Sequence, residues 1–160
     1  MIYYNTFDSI IGKLFIAYSN LGLCKISIND EKEFFEWIYQ FYRNEKNIKD
    51  SSKTKVIEQL RQYFNRELKY FNCICDLKGT EFQKKVWLEL TKIPYGKTKS
   101  YKEIAIAIGN KEACRAIGIA CNKNPIPIII PCHRVIGSNG KLIGYAHGIE
   151  IKKKLLDLEK

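Results

Sequence analysis

Residues Ile130 to Val135 put a thiol, an imidazole and a guanidinium in consecutive positions, Cys132, His133 and Arg134, behind a stiff apolar segment that ends at Pro131. A free cysteine titrates near ~8.5, and a neighbouring base or cation can bring it to ~7 or lower. Cys132 is therefore expected to be a nucleophile whose pKa its neighbours depress. The alternative is a small buried hydrophobe, the reading given to most of the other five cysteines. His133 adjoins the thiol in a chain with only two histidines, which favours a base over a structural imidazole.

The elements around this motif can be read from capping and spacing. Thr80-Glu81-Phe82-Gln83 is a capping-box pattern that opens a helix with Phe82, Val86, Leu90 and Ile93 inward, ended by Pro94-Tyr95-Gly96. A second box, Ser100-Tyr101-Lys102-Glu103, starts a short helix through Ile108, and Gly109-Asn110 turns the chain into a third helix from Lys111 to about Cys121. Two short helices across a glycine turn suggest helix-turn-helix. Gly118 lies inside the third helix, where glycine costs ~1 kcal/mol relative to alanine. With Ala116 and Ala120 it makes a face without bulk, suited either to tight helix packing or to insertion into a narrow groove. Arg115 could contact phosphate, pair with an acid, or enter a base stack. The last segment, Ile149 to Glu159, is expected to be a helix with Ile151, Leu155 and Leu158 inward.

The first part of the chain alternates as strands do, at Ile2 to Phe7, Gly12 to Tyr18 and Leu23 to Ile28, with a turn at Ser19-Asn20-Leu21-Gly22. Phe34, Ile38 and Phe41 share one face of a helix from Glu31, and Val56, Leu60 and Phe64 share one face of a helix from about Thr54. Arg43 to Lys53 reads as a loop and Glu67 to Lys78 as a connector. The class is α/β (α+β), divided into a first part, residues 1–75, and a second part that contains the Cys-His-Arg motif, residues 76–160.

Lys and Arg number 27 against 17 Asp and Glu, a net charge of +10, which favours polyanionic partners. The six cysteines at irregular spacings fit a reducing compartment rather than a disulfide scaffold. No leader and no apolar run of membrane length is evident, so the expectation is a soluble, monomeric, cytoplasmic protein that engages no membrane.

Together these residues resemble the O6-alkylguanine-DNA alkyltransferases, which repair alkylated guanine in DNA by moving the alkyl group to their own cysteine. The resemblance runs from Gly79 to Glu159. It is carried by Ile93-Pro94-Tyr95-Gly96, Ser100-Tyr101, Arg115-Ala116-Ile117-Gly118, Asn124-Pro125, Pro131-Cys132-His133-Arg134-Val135 and Gly144-Tyr145. The first part matches more loosely, in strand order and the Ser9-Ile10-Ile11-Gly12 turn. The fold it implies is a small sheet-and-helix domain followed by a mainly helical, winged-helix-like domain.

By resemblance, Cys132 is the alkyl acceptor, His133 its base through a water, and Glu159 the group that orients His133. Tyr101 donates to guanine N3, and Asn124 ties the helix-turn-helix to the active-site loop. Arg115 fills the position vacated by a flipped base, while Ala116 and Gly118 face the DNA. Pro127 walls the alkyl pocket, backbone groups of Val135 and Ala146 read the guanine edges, and Tyr145 lies in the pocket loop. The implied partner is double-stranded DNA carrying O6-alkylguanine, with no cofactor and no metal.

Two positions depart from the family pattern. His147 stands where members commonly carry glycine, which would narrow the pocket mouth, and Ile119 replaces a residue that is often small. Cys73-Ile74-Cys75 has no evident metal-ligand partners and reads as packing. The rival readings are a non-catalytic alkyltransferase-like lesion binder, a helix-turn-helix regulator and a Cys/His hydrolase. A cysteine at position 132, where lesion binders typically have Trp, argues for chemistry.

Overall fold

Apolar alternation at the start of the chain becomes three antiparallel strands, β1 (Ile2–Ser9), β2 (Gly12–Ser19) and β3 (Gly22–Ile28). The computed structural model describes residues 1–52 and 55–160 and divides into two units, Met1–Lys78 and Gly79–Lys160.

In the first unit the sheet order is β3-β2-β1-β4. Pairings such as Phe7↔Leu14 and Leu14↔Ile28 align the apolar residues of neighbouring strands on one face. One face packs Ile2, Phe15, Ala17 and Cys24 against Phe34 and Ile38 of α1 (Glu31–Phe41), whose first turn is capped by the Asp30 side chain. On the other face, Phe7 stacks on Phe64 at the end of α2 (Lys55–Phe64), with ring centroids 6.2 Å apart. The expected start of this helix at Thr54 and the end of the expected loop at Lys53 lie outside the described residues.

Several expectations need correction here. Phe41 is exposed, lying against Trp37 at the helix end rather than in the core. In α2 it is Tyr63, one residue before Phe64, that is fully buried. The expected loop contains β4 (Asn47–Lys49), which pairs in parallel with β1; its three residues are all exposed, so no hydrophobic pattern announces it. The connector is also less free than its polarity suggests. Leu23 N–H donates to Ile74 O (2.9 Å) and Asp76 N–H to Leu23 O (2.7 Å), which seats residues 74–76 along the edge of β3. The Asp76 carboxylate then accepts from Ser19 and Tyr42.

The second unit opens with α3 (Glu81–Leu90), where both halves of the Thr80/Gln83 capping box form. Its inward residues are Val86, Trp87 and Leu90; Phe82 is exposed, against expectation, because Trp87 rather than Phe82 supplies the bulk of the buried face. Trp87 Nε1 donates to Ala120 O (2.9 Å), fastening α3 to α5.

Both halves of the Ser100/Glu103 box also form at the start of α4 (Tyr101–Ala107). The next helix, α5 (Cys114–Asn122), starts later than the expected Lys111 because residues 111–113 are used in the turn and Ala113 supplies no side-chain cap. β5 (Lys99–Ser100) pairs in parallel with β6 (Val135–Ile136), which brings the start of α4 beside the residue that follows the Cys-His-Arg motif. The chain ends in α6 (Ile149–Leu158). Among the described residues, no helix is long and apolar enough to cross a membrane.

Candidate active site

Cys132, His133 and Arg134 form one 3-10 turn after Pro131, and all three side chains are buried. The turn is reached through Asn124-Pro125-Ile126-Pro127-Ile128, in which Ile128 has φ +75°, a left-handed conformation that a β-branched residue adopts only under constraint. Asn124 supplies part of that constraint. Its Oδ1 accepts from Ile126 N–H (3.0 Å) and its Nδ2 donates to Ile130 O (2.8 Å). A carbonyl can only accept and an N–H can only donate, so the orientation of the amide is determined by its partners. The group it directs at Cys132 Sγ, 3.2 Å away, is therefore the NH₂ donor.

The second anchor is Glu159, which caps α6 and has 1% side-chain exposure. Its carboxylate lies 2.8 Å from His133 Nε2, accepts from Arg134 Nε (3.0 Å) and Nη2 (2.9 Å), and has the Gly96 N–H at 3.4 Å. Arg134 Nη1 donates in turn to Ile93 O (2.8 Å). Both carboxylate oxygens are thus occupied as acceptors, so His133 Nε2 must carry the proton. That leaves Nδ1 as the basic nitrogen, and it is buried without a hydrogen-bond partner.

Burial dominates the proton affinities. Cys132 is only 5% exposed, and its pKa is pushed up to about 11, although the Asn124 donor and the Lys152 ammonium pull in the other direction. This overturns the expected depressed thiol, because a low-dielectric site penalises the thiolate more than its neighbours favour it. Burial also lowers His133, with the Glu159 hydrogen bond opposing, so the resting imidazole is neutral. The resting pair is a protonated thiol and a neutral base.

Lys152 was not anticipated. It is fully buried in α6, with Nζ donating to Val135 O (2.5 Å), Ile143 O (3.1 Å) and Gly144 O (3.2 Å), and burial lowers its pKa. Helical phase could have found it. Of Lys152, Lys153 and Lys154, only Lys152 falls in register with Leu155 and Glu159. Tyr101 Oη donates to the same Ile143 and Gly144 carbonyls (3.1 and 3.4 Å), and burial raises its pKa to about 12.

The remaining candidates separate into two groups. Tyr101, Arg115, Gly118, Ile143 and Gly144 line a cavity of about 420 Å³, together with Cys114. Arg115, Ala116 and Ile119 are exposed on the outer face of α5, whereas Ala120 is buried and belongs to the packing with Trp87. A Cβ on Gly118 would meet no atom within 4 Å, so packing within the chain does not explain the glycine. Pro127, Val135, Tyr145, Ala146 and His147 do not line this cavity. Pro127 and Val135 are buried, Ala146 is exposed, and the His147 ring stands edge-on to Tyr145 at 5.3 Å. Tyr145 Oη is buried without a hydrogen-bond partner, and burial raises its pKa well above the ordinary value.

Two measurements follow from these geometries. Glu159→Gln leaves the Arg134 guanidinium buried without its counter-charge and should cost about 3 to 5 kcal/mol in urea unfolding. A loss within 1 kcal/mol would show that the guanidinium finds other partners. Separately, an unfolded imidazole titrates near ~6.5, and His133 lies lower when folded. In the window between the two values the unfolded chain binds the extra proton. The contribution of His133 to stability should therefore be complete above about pH 6.5 and decline as the pH falls. His133→Gln should flatten this acid limb, and an unchanged limb would assign it to other groups.

Comparison with known proteins places the whole chain. The model of the 6-O-methylguanine DNA methyltransferase DNA binding domain matches residues 81–160, and that of the ribonuclease-like domain of the same name matches residues 2–76. A methylated-DNA--protein-cysteine methyltransferase of Methanosarcina acetivorans is 48% identical over 158 residues, covering 99% of this chain and 98% of its own. The crystal structure of Mycobacterium tuberculosis O6-methylguanine methyltransferase superposes with a TM-score of 0.88 at 42% identity, covering 100% of this chain and 93% of its own. The structure of Mycobacterium tuberculosis OGT in complex with DNA matches equally well, with a TM-score of 0.88 at 43% identity over 99% of this chain and 92% of its own. With both halves matched and nearly half of its residues shared with a full-length relative, the chain belongs to the 6-O-methylguanine DNA methyltransferase family.

Proposed function

We propose that this protein repairs DNA by direct reversal, transferring the methyl or other alkyl group from O6 of guanine irreversibly to Cys132, once per molecule. The observation that carries the reading is the buried Cys132 thiol, with an amide donor on its sulfur and a neutral imidazole backed by a carboxylate in the next residue. A lesion binder or a helix-turn-helix regulator has no use for that arrangement. The relatives' names, methylated-DNA--protein-cysteine methyltransferase, describe the same reaction.

As the lesion docks, His133 Nδ1 takes the thiol proton through a water, and Glu159 favours the imidazolium that forms. Asn124 Nδ2 and the Lys152 ammonium favour the developing thiolate. The sulfur attacks the alkyl carbon, the S–C bond forms as the C–O bond breaks, and the electron pair passes into the guanine ring. Tyr101 is protonated at neutral pH and donates at N3 as charge develops there. No cofactor enters, because the substrate brings the alkyl group. The thioether is not displaced again, so the acceptor is consumed.

A base inside a duplex cannot reach a buried thiol and must be turned out of the stack, at a cost of a few kcal/mol. The exposed face of α5 serves this step. Ala116 and Gly118 allow the helix backbone close to the groove, and Arg115 at the cavity wall takes the vacated position. Backbone groups of Val135 and Ala146 hold the guanine edges, Pro127 and Tyr145 bound the alkyl group, and His147 narrows the mouth. The Val135 carbonyl is positioned for this by the Lys152 ammonium. The basic net charge supplies phosphate affinity that is indifferent to sequence and sensitive to salt. Repair of chromosomal DNA fits a cytoplasmic, monomeric protein.

The central test is mass spectrometry after incubation with duplex DNA carrying O6-methylguanine. One methyl group per protein should appear on the peptide that contains Cys132, and Cys132→Ala should bind the duplex without transfer. Methylation elsewhere, or turnover beyond one equivalent, would overturn the assignment. Gly118→Ala separates the fold from DNA contact. It should raise stability by up to ~1 kcal/mol through helix propensity while slowing transfer from duplex far more than from free methylguanine. Equal rates on duplex for the two proteins would remove close approach as the reason for the glycine.

A further inference from the structure

Burial divides the six thiols of this chain into unlike groups. Cys24, Cys121 and Cys132 are buried, and desolvation raises all three: Cys132 to about 11, Cys24 to about 12 and Cys121 higher still. Cys73, Cys75 and Cys114 are partly exposed, and the first two lie on the segment that pairs with the edge of β3. Alternate residues of an extended chain point to one side. Ile74 accordingly faces solvent, 79% exposed, while the two sulfurs approach to 3.9 Å on the other side.

The pair is asymmetric. Cys75 Sγ lies 3.9 Å from both Cys73 Sγ and Cys73 O, so its S–H has two acceptors to choose from on that residue. The Cys75 hydrogen bond, aided by the Lys55 ammonium and opposed by burial, holds Cys73 below the ordinary thiol range, while the same contact and burial push Cys75 far up. A partly exposed thiol whose ionisation is favoured, with a second thiol within reach of its sulfur, is the arrangement of a cysteine that oxidises reversibly. A stable metal site would need more donors, and among the described residues no group of three or more His, Cys, Asp or Glu is placed to hold an ion.

We propose that Cys73 and Cys75 are a reversible oxidative modification site that consumes hydroperoxides before the buried Cys132 reacts. The Cys73 thiolate attacks one peroxide oxygen; an S–O bond forms, the O–O bond breaks, and the departing hydroxide takes a proton from solvent. The Cys75 sulfur then attacks Cys73 sulfur, the S–O bond breaks, and the leaving oxygen departs as water with the Cys75 proton. The two thiols are oxidised to a disulfide and the peroxide is reduced to water. The ring so closed spans only one intervening residue, and its strain makes it readily reducible by thiols.

The test treats the full-length protein with hydrogen peroxide, blocks remaining thiols with iodoacetamide and maps tryptic peptides without reduction. The peptide Tyr70–Lys78 holds both cysteines of the pair and no other, and Asn124–Arg134 holds Cys132 alone. The first should become lighter by two hydrogens at least about tenfold faster than Cys132 becomes refractory to iodoacetamide, and dithiothreitol should restore it. Cys75→Ser should halt at a sulfenic acid on Cys73 that dimedone traps, and Cys73→Ser should lose the fast reaction. The proposal fails if Cys132 is oxidised first, if the pair stays alkylatable throughout, or if Cys73→Ser reacts at the parent's rate.

Discussion

The carboxylate of Glu159 is the contact on which the second unit converges. Removing a carboxylate and a guanidinium from water costs several kcal/mol each, and only a nearly complete set of hydrogen bonds offsets it. That set is present. Arg134 delivers two N–H groups and sends a third to Ile93 O, His133 delivers Nε2, and the Gly96 N–H lies nearby. The donors come from the turn after α3 and from the Cys-His-Arg turn, and the acceptor from the end of α6. Three segments far apart in sequence are therefore held by one charge, and the backbone position of Cys132 follows from that charge.

The same low-dielectric surroundings set the acid–base state. A site dry enough to make the Glu159 network strong also makes a thiolate costly and an imidazolium costly. The uncharged thiol and uncharged imidazole are two consequences of one condition, and in the proposed reaction their proton changes hands only when a substrate favours the sulfur anion. Lys152 and Asn124 do not ionise the thiol in advance; they lessen the cost of the anion once it forms. Lys152 also shares two carbonyl acceptors with Tyr101, so the 143–144 loop, the cavity wall and the ammonium are held as one arrangement.

Much of this was legible in the residues. Local signals, in which side chain and backbone partner lie three positions apart, are borne out, since both capping boxes form. The alternating stretches also form strands, the third beginning at Gly22, one residue earlier than expected. The identity of the family was carried by short motifs around Cys132. What escaped depends on tertiary surroundings. β4 is a partner strand with no buried residue, so it leaves no pattern in the sequence. Phe41 and Phe82 sit at helix ends, where an apolar residue in phase can still have nothing above it. The proton affinity of Cys132 departs from expectation because adjacency to His133 and Arg134 is visible in sequence and the extent of burial is not. The motif includes Arg134 but does not disclose its role, since its partner lies twenty-five residues away.

The bond from Trp87 to Ala120 has an optical consequence. The chain has two tryptophans, Trp37 in the first unit and Trp87 in the second. Trp37 packs beside the Lys25 ammonium and the rings of Phe41 and Tyr42, whereas Trp87 is enclosed and holds the carbonyl at the end of the exposed helix. Their emission should differ, the enclosed indole being the bluer. Each unit therefore carries its own tryptophan, and the one in the second unit is wired to α5, the helix proposed to face DNA.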